Sequence, residues 1–190
     1  MIKFLPNSLT ILRVIAIPFF IYSILINKPM IGLIIFVGAS ITDYFDGLIA
    51  RKLNIVSNFG KLMDPLADKI LVISALIMLN INPIAYLHWV ITIIIAFREI
   101  AVTILREYYH NKGVIIPANF AGKIKTTLQM IGIITALTLY TVINRKFIPF
   151  ITGYETALII YIQIYFWFTA IVTVVSGMNY FLVKPTRLKI

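Results

Sequence analysis

Six apolar segments, each close to the twenty residues that carry an α-helix across a hydrocarbon core, restrict this chain more than any other feature. They run over about 9–27, 30–50, 66–82, 86–108, 121–143 and 155–182, with edges defined to within a few residues because charged groups sit near several ends. The chain is 61% hydrophobic over 190 residues, whereas soluble domains are about 45–50% apolar. A water-soluble fold of this length lacks the interior to hide the excess. The expectation is therefore an all-α integral membrane protein of six transmembrane helices, forming one domain over residues 1–190. Pro6, Pro65, Pro83, Pro117, Pro149 and Pro185 fall between or beside the spans, where helix breaks cost little. Pro18 lies inside the first span and predicts a kink there.

Basic residues set the orientation. With the N-terminus inside, the inner face collects Lys3, Arg13, Arg51, Lys52, Lys61, Lys69, Arg98, Arg106, Lys112, Lys123, Lys125, Lys184, Arg187 and Lys189. The outer face receives Lys28, Arg145 and Lys146. Cytoplasmic loops carry the Lys and Arg excess, so both termini are expected in the cytoplasm. A cleaved signal peptide is a poor reading of the first segment, since no small-x-small site follows it and five further spans do. The net charge of +10 suits anionic headgroups, phosphorylated substrates or simple orientation; nothing resembles a soluble basic domain, so nucleic acid is not an expected partner. The absence of cysteine excludes disulfides, thiolate catalysis and Cys-ligated zinc.

The chain has only seven Asp and Glu, and Asp43, Asp46, Asp64 and Asp68 crowd into one stretch between two apolar segments. Asp43 and Asp46 are three apart and Asp64 and Asp68 four apart, so on helices each pair shares a face. If the two helices are neighbours, four carboxylates converge at the inner edge of the membrane. They cannot all stay ionised together in a medium of low dielectric without a cation. All-oxygen ligation suits Mg²⁺, Mn²⁺ or Ca²⁺, and four carboxylates suffice for two ions, an arrangement typical of phosphoryl transfer. Gly47 and Ala50 share the face of Asp43, and Gly60 precedes Asp64 by one turn, leaving room for a bulky ligand beside the Arg51 guanidinium. The plainer alternative makes the small residues helix-packing positions and pairs the aspartates with Arg51, Lys61 and Lys69. It leaves the spacing unexplained.

The run Asp43-x-x-Asp46-Gly47-x-x-Ala50-Arg51, eight residues, Gly60-x-x-x-Asp64-x-x-x-Asp68 resembles the CDP-alcohol phosphatidyltransferase motif at every fixed position. The resemblance implies the six-helix CDP-alcohol phosphotransferase fold, usually a homodimer, in a multi-pass protein of the bacterial cytoplasmic membrane whose active site faces the cytoplasm. It further implies that an alcohol hydroxyl attacks the β-phosphorus of a CDP-linked lipid and CMP leaves. By similarity, Asp43, Asp46 and Asp64 hold two ions, Mg²⁺ or Mn²⁺, and Asp68 is the general base and also touches a metal. Gly47, Ala50, Arg51 and Gly60 would line the cytidine nucleotide site. A stretch Pro6-Asn7-x-Leu9-Thr10-x-x-Arg13 is also similar to the family and implies that Asn7, Thr10 and Arg13 lie near the donor nucleotide. Local physics offers another account, in which Asn7 or Ser8 caps a helix and the Arg13 side chain snorkels to the interface.

Two further stretches look like family members that act on sn-glycerol 3-phosphate: Arg98-Glu99 followed by Leu105-Arg106-Glu107, and Gly122-Lys123-x-Lys125-Thr126-Thr127-x-Gln129. The implied donor is CDP-diacylglycerol, and the implied product phosphatidylglycerophosphate. The acceptor phosphate would meet Arg106, Lys123 and Lys125, with Arg98 a further candidate; lipid headgroup contact explains the same cations more plainly. Inositol phosphate, serine or phosphatidylglycerol as acceptor would make this a sister enzyme. A cation transporter is the rival class, but the carboxylates sit at the inner edge and no broken inverted-repeat helices are visible. His88, beside Trp89 and Tyr86, reads as an interfacial anchor, and neither it nor His110 as a ligand.

Overall fold

The computed structural model describes residues 5–53, 58–81, 87–112, 114–115, 120–145, 153–182 and 186–187, with side chains over 11–42, 66–81, 87–109, 112, 120–144 and 153–178. Six helices account for nearly all of them: α1 (Leu5–Leu25), α2 (Pro29–Leu53), α3 (Asn58–Ile81), α4 (Trp89–Asn111), α5 (Phe120–Arg145) and α6 (Glu155–Leu182). One departure from an all-α chain is a short antiparallel pair, β1 (Val114–Ile115) with β2 (Thr186–Arg187), in which Val114 faces Arg187 and Ile115 faces Thr186.

The helices follow the apolar segments closely, with the largest shift in α3. It starts at Asn58, eight residues before the expected edge, so Gly60 and Pro65 lie within the helix, together with Asp64, whose spacing from Asp68 already predicts a helix. Pro65 withdraws the donor that the Lys61 carbonyl would otherwise meet, yet the helix continues. α1 likewise runs unbroken through Pro18. It begins at Leu5, which puts Asn7 and Ser8 inside the helix and not at its cap.

The chain divides into two compact units. Unit 1 comprises Met1–Ala85 and Ile133–Glu155; unit 2 comprises Tyr86–Gly132 and Thr156–Ile190. In unit 1, α1 packs on both α2 and α3, and α2 touches α3. The α1–α2 turn is tight because Asn27 adopts the left-handed region (φ 59°), which an Asn tolerates, while the Lys28 amide donates back to the Ser23 carbonyl (2.9 Å). The Asn27 side chain is then held by α5: Tyr140 Oη donates to its Oδ1 (2.7 Å) and Asn144 Nδ2 to its backbone oxygen (3.1 Å). A Cβ on Gly32 would lie 2.6 Å from Ile24 Cδ1, so the missing side chain lets α2 close onto α1. In unit 2, a Cβ on Gly132 would lie 2.7 Å from Tyr165 Cε1 and 2.9 Å from Phe166 Cζ, and Tyr165 Oη donates to the Leu128 carbonyl (2.9 Å). α5 and α6 thus approach at a bare backbone position.

The distribution of polarity is inverted relative to a soluble bundle. On α4, Ile93, Phe97, Ile100 and Ile104 recur along one exposed stripe, while Arg98 and Glu99 are buried. On α6, Ile164, Trp167, Phe168, Ile171 and Val175 face outward, and Thr169, Thr173 and Ser176 are buried. Apolar surface left in water costs about 25 cal/mol per Å², so such faces belong against a medium as apolar as themselves. Two helical stretches among the described residues, Phe120–Asn144 and Glu155–Met178, are long and apolar enough to cross a membrane.

Candidate active site

The acidic motif lies on α2 and α3, both in unit 1. On α1, Arg13, Ile17, Phe20 and Ile24 recur every three or four residues and are all buried, forming the inward stripe. Phe20 meets Phe36 of α2 with ring centroids 5.9 Å apart. On α2, Pro29, Gly32, Phe36 and Ala39 form the buried stripe, and the same register carried forward reaches positions 43, 46 and 50. On α3 burial reaches round most of the helix between Leu71 and Asn80, and positions 60 and 64 share a face with Ala67 and Leu71 by spacing alone. The motif positions lie on two touching helices, both packed against α1.

Asp68 lies one turn before the buried Val72 and is half-buried. Arg13 is 1% exposed, so its side chain does not snorkel to an interface. It points into the interior of a unit whose other two packed helices carry the four aspartates. The side chains of Asp43, Asp46, Gly47, Ala50, Arg51, Gly60, Asp64, Asn7 and Thr10 lie outside the described residues. Among the described residues no group of three or more His, Cys, Asp or Glu could hold a metal. The donor chemistry nevertheless fits a hard divalent cation: four carboxylate positions, two per helix, with oxygen donors only.

Unit 2 holds a second polar centre, built on Glu99. Its carboxylate forms an ion pair with Lys125, and its Oε1 lies 3.7 Å from Arg98 Nη1 and 3.5 Å from Gln129 Nε2. Arg98 Nη2 donates to Ser176 Oγ of α6 (2.9 Å). All five residues are buried. Lys125, Gln129 and Gly132 share one face of α5, at steps of four and three. Lys123, two positions from Lys125 and so about 200° around the helix, is exposed. Arg106 is exposed as well. Of the four cations expected at an acceptor phosphate, Arg98 and Lys125 are brought together and buried, while Arg106 and Lys123 face outward. His88 is exposed next to the exposed Trp89.

The chain matches the CDP-alcohol phosphatidyltransferase family over residues 3–175. It belongs to that family. It is 40% identical over 188 residues to a protein of Rickettsia bellii (strain RML369-C), covering 93% of each chain. It is 39% identical over 194 residues to one of Bacillus subtilis (strain 168), again covering 93% of each. Both relatives are named CDP-diacylglycerol–glycerol-3-phosphate 3-phosphatidyltransferase. A probable phosphatidylglycerophosphate synthase of Mycobacterium tuberculosis (strain CDC 1551 / Oshkosh) is 40% identical over 135 residues, 68% of this chain and 63% of that one. The CDP-alcohol phosphatidyltransferase match takes in the whole acidic motif, Arg13 and the Glu99 centre, and stops one residue short of Ser176.

Sequence reasoning assigned no role to Glu99, Gln129 or Ser176. For the first two a signal existed: Glu99 follows Arg98 within an apolar span, and Lys125 and Gln129 are one turn apart. Ser176 has no such signal, because its partner lies 78 positions away.

Proposed function

We propose that this chain transfers the phosphatidyl group from CDP-diacylglycerol to sn-glycerol 3-phosphate, giving phosphatidylglycerophosphate and CMP. The observation that carries the reading is near-full-length identity of about 40% to enzymes named for that reaction, in a chain that keeps the complete acidic motif. Arg98 and Lys125, two of the expected acceptor cations, are buried together around Glu99, which supports a phosphorylated acceptor over serine.

The acceptor hydroxyl oxygen bonds to the β-phosphorus of the donor, the bond from that phosphorus to the CMP oxygen breaks, and CMP departs with the electron pair. Asp68 takes the hydroxyl proton; its half-buried position keeps it reachable from the ligand side. Asp43, Asp46 and Asp64, with Asp68, would hold two divalent ions, Mg²⁺ or Mn²⁺, whose charge would neutralise the pyrophosphate and polarise the phosphorus. Gly47, Ala50 and Gly60 leave space for the cytidine nucleotide, and Asn7, Thr10, Arg13 and Arg51 meet its polar groups. Arg98 and Lys125 seat the acceptor phosphate, and Arg106 and Lys123, on exposed positions, attract it. The whole chain acts as one six-span domain, with both termini and the active site on the cytoplasmic side of a bacterial membrane, and works as a homodimer.

The test is CMP release from CDP-diacylglycerol by the purified protein with Mg²⁺ or Mn²⁺, offering glycerol 3-phosphate, inositol phosphate, serine or phosphatidylglycerol in separate reactions. Release with glycerol 3-phosphate, lost on adding EDTA and restored by excess metal, is expected. Release with a different acceptor alone would make this a sister enzyme, and no release with any acceptor would overturn the reaction class.

A further inference from the structure

We propose that Glu99, Ser176 and Gly177 are positioning residues that fix Arg98 and Lys125 as a buried cationic cradle for the acceptor's phosphate. The inference rests on the acceptor assigned above and adds a role for α6. Taking Arg98 and Lys125 out of water is costly unless each is closely compensated. One carboxylate, Glu99, is shared between them, so the three charged groups sum to one positive charge. Unit 2 as a whole has two acidic residues, Glu99 and the exposed Glu107, against eight Lys and Arg. In a unit with that excess of basic residues, an arginine and a lysine held side by side suit a compact anion such as phosphate.

The details on α6 show how the arginine is aimed. The Ser176 hydroxyl donates to the Thr173 carbonyl (3.0 Å), which commits its proton and turns a lone pair toward Arg98 Nη2, 2.9 Å away. A Cβ on Gly177 would lie 3.1 Å from Arg98 Cγ and 3.2 Å from its Nε, tighter than ordinary contact. The bare backbone at 177 thus lets the arginine stem lie against α6 while Ser176 holds one end of the fork. Guanidinium recognition of phosphate is planar and directional, so a small change in either residue misaims the fork without removing its charge.

Steady-state CMP release by the purified full-length protein tests this, with KM for glycerol 3-phosphate and for CDP-diacylglycerol measured separately for wild type, Ser176→Ala, Ser176→Thr and Glu99→Asp. Loss of one hydrogen bond to a charged group predicts an acceptor KM about tenfold higher in Ser176→Ala, with the donor KM within about twofold. Ser176→Thr, which keeps the hydroxyl, is expected to recover most of the loss. Glu99→Asp, which keeps the charge but shortens its reach, is expected to shift acceptor KM in the same way, its unchanged donor KM reporting an intact fold. Unaltered acceptor KM in both Ser176→Ala and Glu99→Asp, or a parallel rise in both KM values with a lower melting temperature, would overturn the proposal. Wild type inert toward glycerol 3-phosphate would instead overturn the acceptor assignment, so the two failures are separable.

Discussion

Lys125 and Glu99 have side chains 5% and 10% exposed, so each depends on the other for charge compensation in a medium that solvates neither well. Removing one partner leaves a buried charge, at a cost of about 3–5 kcal/mol, whereas removing both costs far less. Glu99 also faces Arg98, so Glu99→Gln, which strips two buried cations, is expected to lower the thermal unfolding midpoint in detergent sharply, and Lys125→Met, which leaves Glu99 paired with Arg98, to lower it less; equal midpoints for the two variants would contradict the shared pairing. Asp68 calls for the opposite outcome. Half-buried, it tolerates an amide of nearly the same shape, so Asp68→Asn is expected to keep the wild-type melting temperature while CMP release falls by about 10²–10⁴-fold, the usual worth of a general base. Near-full turnover by that variant would remove Asp68 from proton transfer. Arg13 illustrates how far a single residue can be read in advance. Its interruption of an apolar span marked it out, but whether its charge sits at the surface or inside depends on what packs over it, and only the fold shows it to be buried.

At the level of elements, glycines decide how closely helices meet. The position a Cβ would take at Gly132 is within 3 Å of two aromatic rings on α6. Rings move as rigid plates, so a large side chain there must separate α5 from α6 or displace Tyr165 from its bond to the Leu128 carbonyl. Gly132→Leu is expected to destabilise by about 1–3 kcal/mol, the range for overpacked interiors, read as a lower melting temperature in detergent; an unchanged midpoint would mean that the α5–α6 contact yields freely. The elements themselves were legible from hydropathy to within a few residues, except for the start of α3. There Gly60 and Pro65 carry weak helix propensity, although the four-residue step from Asp64 to Asp68 is already helical. The helix runs through both and leads into a stretch from Ala67 to Asn80 that is largely buried within unit 1.

For the whole molecule, the outward apolar stripes and inward ionic centre of α4 and α6 are the arrangement expected of a bundle solvated by lipid. Orientation can be tested directly because the chain has no cysteine. Single substitutions Lys28→Cys and Lys112→Cys give two labelling sites at exposed positions. With the N-terminus inside, a membrane-impermeant maleimide should modify position 28 in intact cells and position 112 only after permeabilisation. The reverse pattern, or labelling of both from outside, would refute the orientation drawn from the basic residues.

What the sequence determined by itself was what is encoded locally: six apolar runs, because hydrophobicity is a property of each segment, and the acidic motif, because spacings of three and four residues specify a helix face whatever surrounds it. The reaction class followed from that motif, and membership of the CDP-alcohol phosphatidyltransferase family agrees with it. What only the tertiary structure decided was which cations are buried and what aims them. Arg98, Lys125 and Ser176 come from three helices and meet through contacts spanning up to 78 positions. No local pattern encodes such a meeting, because it depends on which helix faces pack together.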